Sequence, residues 1–205
     1  MKPDFICIEG NIGVGKTTLV RRLAEHLKTQ TLFEEFDENP WLPLFYKKPQ
    51  ETALALELSF LTDRAKQLSQ KSNHASVISD YCIDKCLLFA EVNLPADDYK
   101  KFAALFNELS ASLKKPSLVI VIHTPLHNLL ENIKKRNRSY EQNISPHYLE
   151  KLNNSYKHFF HAENDYAVLN IHTNEVNEAA YERIFDKIIS FLSFNHSEKI
   201  THITL

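Results

Sequence analysis

The chain has three glycines in 205 residues, and all of them fall between Gly10 and Gly15. They belong to Gly10-Asn11-Ile12-Gly13-Val14-Gly15-Lys16-Thr17, followed by Thr18, which fits the pattern G-x-x-x-x-G-K-[ST]. Just before it, residues 5–8 form a short β-type run. Just after it, Leu19, Val20, Leu23, Ala24 and Leu27 recur at helical spacing. A strand, a glycine turn and a helix N-terminus in that order present successive backbone N–H groups to phosphate oxygens. Lys16 then reaches the outer phosphates, and the Thr17 hydroxyl is placed to ligate Mg²⁺. Residues Gly10 to Thr18 are therefore expected to cradle a nucleoside triphosphate.

That motif also dictates the architecture around it. Further β-type runs occur at 31–33, 76–79, 118–122 and 166–171, each followed by a longer helical pattern, which reads as a parallel sheet covered by helices. Residues 52–68 have the length of a helix but are apolar over more than one face, with Glu57, Asp63 and Arg64 embedded, so this helix is expected to be buried. Ser145-Pro146 opens a helix carrying Tyr148, Leu149, Leu152, Tyr156 and Phe159 on one side. A last helix repeats Tyr181, Ile184, Phe185, Ile188, Ile189 and Leu192, and the polar tail after Phe194 is expected to be loosely held. The length suits one domain over residues 1–205.

Composition narrows the class. A formal charge of -2 provides no basic excess for a nucleic-acid surface. Cys7, Cys82 and Cys86 are too few for a disulfide framework and lack a second Cys/His pair at metal-ligand spacing, so reduced thiols are expected. The longest clean apolar run, residues 118–122, is far below the about 18–20 residues of a membrane span. A strand starting near Phe5 leaves no room ahead of it for a secretion signal, and a cytoplasmic location follows as the expectation.

The acceptor must be sought elsewhere. Glu34 and Glu35 follow the second strand run, at the carboxyl end where ligands of open α/β sheets bind. A carboxylate there suits a neutral hydroxyl acceptor, whose proton it takes as the oxygen attacks phosphorus, and would repel a phosphate acceptor. Downstream, Lys134, Lys135, Arg136 and Arg138 form a basic segment.

Together, "EGNIGVGKTT", "FEE…NPWLPLFYKKP" and "KKRNRSYEQ…YLEKLNNSY" resemble, in order and spacing, the deoxynucleoside kinase family, including its bacterial deoxyadenosine and deoxyguanosine kinases. The resemblance implies a P-loop three-layer sandwich with a five-stranded parallel sheet, usually in a homodimer. It also implies transfer of the ATP γ-phosphate, with Mg²⁺, to the 5′-hydroxyl of a deoxyribonucleoside. On its motifs, Glu34 takes the general-base position, with Glu35 a rival because it replaces the family proline. Tyr46 and Glu141 fall on the pair that binds the sugar 3′-hydroxyl. Phe89 falls on the aromatic that stacks on the base, and Glu57 lies near the base-reading glutamine, where a carboxylate favours an edge rich in N–H donors. Arg136 and Arg138 fall in the lid, at about residues 132–146, which closes over the transferring group. Asn137 stands where the family often has glycine, and Asn132 where some relatives have an arginine.

One motif departs. After the third strand the family has Glu/Asp-Arg-Ser, and this chain has Ser79-Asp80-Tyr81. Asp80 is read as the Mg²⁺-side carboxylate, since a hard cation takes oxygen ligands. The missing arginine leaves a gap in charge. Lys85, one turn on, is a possible replacement, although a lysine there is expected to face solvent. Two other readings stand beside the nucleoside kinase: a thymidylate kinase, which tends to carry an acid where this chain has Ile12, and a nucleotide-binding regulator without phosphotransfer.

Overall fold

The computed structural model describes residues 3–36, 38–71, 76–142, 144–161, 165–175, 177–194 and 199–205. The elements are β1 (Phe5–Gly10), α1 (Lys16–Leu27), β2 (Gln30–Leu32), α2 (Trp41–Phe45), α3 (Pro49–Lys71), β3 (Val77–Ser79) and α4 (Lys85–Asn93). They continue with α5 (Ala96–Ser110), β4 (Leu118–His123), α6 (Leu126–Arg136), α7 (Pro146–His161), β5 (Ala167–His172), α8 (Glu178–Ser193) and β6 (Ile200–Thr204). Among the described residues no helix is long and apolar enough to cross a membrane.

The strands pair in parallel in the order β2-β3-β1-β4-β5-β6. A parallel sheet is covered on both faces, so its inner strands are mostly apolar, and β1 is buried at every residue, Glu9 included. Alternate side chains enter different cores. Cys7, Val119, Val121 and Val168 pack with residues of α3, α4, α5 and α7. Ile6, Ile8, Ile120 and Ile122 pack with those of α1 and α8. The three cysteines are free and buried, as expected of structural thiols.

Among the described residues the sheet has six strands where five were expected. β6 pairs with β5 from Val168↔Ile200 to His172↔Thr204, so the end of the chain is a sheet edge and not a loose tail. Its sequence ITHIT is short, half-exposed and polar at Thr201, His202 and Thr204, which gave little apolar signal. Helix α3 is longer than its 52–68 pattern and buries Leu56, Phe60 and Leu61 together with Glu57 and Arg64. Both charges are drawn inward because each meets a polar partner in the cleft described below.

Chain direction across the sheet reverses at β1, with β2 and β3 on one side and β4 to β6 on the other. Such a switch point leaves a crevice at the carboxyl ends of the strands. The glycine cluster lies there, between β1 and α1.

Candidate active site

The crevice is a cleft of about 570 Å³ bordered by the phosphate-loop rim, the end of β2, and side chains of α3, α4 and the segment after α6. Ile12, Gly13, Gly15, Lys16, Thr17 and Thr18 border it, whereas Gly10, Asn11 and Val14 do not. The latter three build the loop from behind. Gly10 has φ 144°, and a Cβ there would lie 2.7 Å from the Ile122 carbonyl oxygen of β4. Asn11 ties the loop to α7, its Nδ2 donating to Leu149 O at 2.8 Å and to Asn153 Oδ1 at 2.6 Å. Gly15 caps α1 with φ 93°, and a Cβ there would strike the Tyr181 hydroxyl at 1.8 Å. Tyr181 donates to Val14 O at 2.7 Å and borders the cleft, a role that its place in the apolar repeat of α8 concealed.

Helix α1 has no side-chain N-cap and no acid in its first turn, so its free N–H groups and positive dipole end are left for an anion. Lys16 folds onto its own loop, donating to Gly10 O at 2.7 Å and Asn11 O at 3.1 Å. Burial, reinforced by nearby Lys85, pushes its ammonium down to about 8, while Glu9, Glu34 and Asp80 pull the other way. Thr17 Oγ1 donates to Asp80 Oδ2 at 2.8 Å, and Asp80 Oδ1 accepts from Glu34 N at 2.8 Å. A hydroxyl and a carboxylate thus meet at one point beside the loop, which is the oxygen donor set a hard cation fits.

Glu34 lies inside the cleft and Glu35 is exposed and does not border it. The Glu34 carboxylate is clamped on both oxygens. Arg64 Nε donates to Oε1 at 3.1 Å, with Arg64 Nη2 on the same oxygen, and Lys85 Nζ reaches Oε2 at 2.8 Å. Burial by itself would raise this acid, but Arg64 and Lys85 hold it well below the usual carboxylate range. The expectation of a solvent-facing Lys85 is therefore corrected: it is 5% exposed and points at Glu34. The turn over residues 80–84 makes Lys85 the first residue of α4 and directs it inward, where the negative charge of Glu34 compensates the cost of burying an ammonium. Arg64, embedded in an apolar helix, was visible in the sequence but had no assigned partner.

On the opposite wall, Arg136 and Arg138 both bond the buried carboxylate of Glu141, Arg138 at 3.4 Å. Tyr46, next to the end of α2, stacks on Tyr140 with ring centroids 6.2 Å apart, and Phe89 also borders the cleft. Asn137 ends α6 with φ 55°, a left-handed cap that asparagine tolerates. Asn132 donates to Gly13 O at 2.8 Å, so the neutral residue braces the loop where some relatives would carry charge. Within the 132–146 segment, Asn143 lies outside the described residues.

Glu57 sits deeper in the cleft, with Oε1 accepting from Asn93 Nδ2 at 2.7 Å. Its other oxygen is buried with no hydrogen-bond partner among the described residues. Burial pushes Glu57 up to about 7, against the pull of Asn93, Arg64 and Lys85. Glu9 was not singled out in the sequence. It is fully buried at the end of β1, accepting from Cys82 N at 2.7 Å and from the Tyr156 hydroxyl at 3.0 Å, and so fastens the β3–α4 turn and α7 beneath the phosphate loop.

The family model for deoxynucleoside kinase matches residues 6–193. A deoxyguanosine kinase of Bacillus subtilis is 36% identical over 193 residues, covering 88% of this chain and 93% of that one. A deoxyadenosine kinase of Lactobacillus acidophilus is 37% identical over 150 residues, covering 68% of this chain and 69% of that one. The solved structure of a deoxyadenosine kinase from M. mycoides with bound dATP superposes with a TM-score of 0.83 at 26% identity, covering 93% of this chain and all of that one. The chain belongs to the deoxynucleoside kinase family, phosphotransferases that phosphorylate deoxyribonucleosides at the expense of ATP.

Proposed function

We propose that the cleft catalyses in-line transfer of the ATP γ-phosphoryl group to the 5′-hydroxyl of a purine deoxyribonucleoside, with Glu34 as the base. The observation that carries this reading is the position of Glu34: a carboxylate kept ionised by two buried cations, in the same cleft as Lys16 and Thr17. A carboxylate has about four lone-pair sites, so two charged partners still leave room to accept the 5′-hydroxyl. Because phosphoryl transfer is loose and needs little proton transfer early, a weak but correctly placed base suffices. Lys16 exchanges its two loop carbonyls for phosphate oxygens. Thr17 and Asp80 would hold Mg²⁺, which neutralises charge on the donor phosphates. Arg136 and Arg138 close with the lid and stabilise charge on the transferring group.

Tyr46 and Glu141 bind the sugar 3′-hydroxyl in this reading, and Phe89 supplies a face for the base. Tyr46→Phe is expected to raise KM for deoxynucleosides about tenfold with little change in kcat. A 3′-deoxy analogue should lose nothing; an equal loss for the analogue contradicts the assignment.

Purine preference rests on Glu57 and on the names of the relatives. Ionised Glu57 offers only acceptors, which matches the N–H donors of guanine. Protonated, it donates from its unpartnered oxygen to a ring nitrogen such as those of adenine. With Glu57 titrating near 7, the ratio of deoxyguanosine to deoxyadenosine turnover should rise from pH 6 to pH 8. Glu57→Gln should make that ratio independent of pH, and a ratio that still varies removes Glu57 from base reading. The same shift has a folding consequence: the folded state keeps a proton that the unfolded chain releases above its ordinary value of 4.5, so this group's contribution to stability falls as pH rises from there to about 7.

The deciding assay offers ATP with the four deoxynucleosides and, separately, their monophosphates. Phosphorylation of deoxynucleosides alone supports the proposal. Turnover of monophosphates favours a thymidylate kinase-like enzyme, and ATP binding without any transfer favours a regulator.

A further inference from the structure

Four histidines converge away from the cleft, and none of them borders it. The register pairs His123 of β4 with His172 of β5, and Asn170 of β5 with His202 of β6. Since alternate strand residues share a face, His123, Asn170, His172 and His202 lie on one side of the sheet. His161, the last residue of α7, reaches the same place. The His123 and His172 rings stack with centroids 4.6 Å apart, and His161 meets His202 edge-on at 4.6 Å.

One ring nitrogen from each of His123, His161 and His172 lies within 4.8 Å of the others. Tetrahedral coordination at ordinary zinc–nitrogen lengths places ligand nitrogens about 3.3 Å apart, so an ion would draw the three rings together and turn the stacked His123 and His172 rings out of parallel until their in-plane lone pairs converge. Asn170 supplies a second observation. Its Oδ1 lies 2.7 Å from His123 Nε2, while its Nδ2 faces Phe160 O at 3.5 Å, which orients the amide. The oxygen therefore accepts from Nε2–H and leaves Nδ1 with its lone pair. A buried amide or carbonyl fixing the tautomer in this way is the usual support of a metal-ligating histidine, and Asn170 is fully buried. Among the described residues no carboxylate bonds any of the four rings. Exposure rises from half-buried His123 and His172 to exposed His161, which gives an ion a way in and a position open to water.

We propose that His123, His161 and His172 form a site for one divalent transition-metal ion, with water in the fourth position. An all-imidazole set selects zinc, cobalt, nickel or copper and discriminates against Mg²⁺, so this site is chemically separate from the one at Thr17 and Asp80. An ion there joins the end of α7 to β4 and β5.

The test uses the full chain without a histidine tag, freed of metal with a chelator and titrated with Co(II), then with Zn(II). One equivalent of Co(II) should give the visible absorption of a four-coordinate ion, and Zn(II) should displace it and raise Tm. His161→Gln, at an exposed position where folding is not at risk, and His172→Gln should each weaken Co(II) binding by at least about tenfold. His158→Gln, one turn earlier on α7, should leave it unchanged. Absence of a stoichiometric Co(II) signal overturns the proposal, as does a signal that His161→Gln and His172→Gln leave intact or that His158→Gln abolishes.

Discussion

Glu34→Gln should lower kcat by about 10²–10³-fold while leaving ATP affinity nearly unchanged. The amide keeps the shape of the side chain and removes the base together with the negative charge that Arg64 and Lys85 surround. In the proposed reading the ATP contacts come from the loop and the N-terminus of α1, which Glu34 does not build. Steady-state kinetics alongside calorimetric ATP binding would separate the two effects. Turnover at the wild-type rate would remove Glu34 from the chemistry. The carboxylate is held below its ordinary value, so the stability it contributes is fully present above about pH 4.5 and is lost only as pH falls through the depressed folded value. Any acid limb of kcat near pH 6 or 7 must then come from another group.

Arg64→Leu should destabilise the fold by about 3–5 kcal/mol, the usual effect of breaking a buried ion pair from one side. Arg64 is 3% exposed, pairs with Glu34, donates to Cys86 Sγ at 2.9 Å and lies 4.6 Å from the Phe60 ring centroid. Leucine fills part of that volume but leaves Glu34 with Lys85 as its one remaining cation in the pair network described. Urea denaturation would measure the loss directly. As a contrast, removing the exposed Arg22 from Glu182 should barely move the midpoint, because water replaces the lost partner. Equal effects at the two positions would mean that burial is not what makes the Arg64 pair matter.

Local pattern made the frame legible. Five of the six strands, the phosphate loop and the principal helices each announce themselves within a dozen residues, through apolar runs, glycines and periodicity. β6 did not, because an edge strand of five residues with three polar ones lacks the continuous apolar signal of a buried one. In the cleft, the motif residues were readable from their segments, but their electrostatic partners were not. Lys85 and Arg64 meet Glu34 across 51 and 30 positions of chain, respectively, and nothing near Lys85 distinguishes it from a surface lysine. The absent arginine after β3 is intelligible only with those distances in hand: two cations from two helices occupy the surroundings of the carboxylate. Glu9 escaped notice for a similar reason, since its three bonding groups come from β1 itself, the β3–α4 turn and α7.

Helix α7 begins directly after the proposed lid segment, bonds the phosphate loop through Asn11 in its first turns, and ends beside the histidines of β4, β5 and β6. Sixteen helical residues span roughly 24 Å, and Leu149, Leu152, Tyr156 and Phe160 seat that length against the core. A lid movement large enough to tilt α7 must carry Asn11 with it or break its two hydrogen bonds, so donor binding and lid closure should be thermodynamically linked. Linkage is reciprocal: whatever the bound triphosphate does for the affinity of the nucleoside, the nucleoside does equally for the triphosphate.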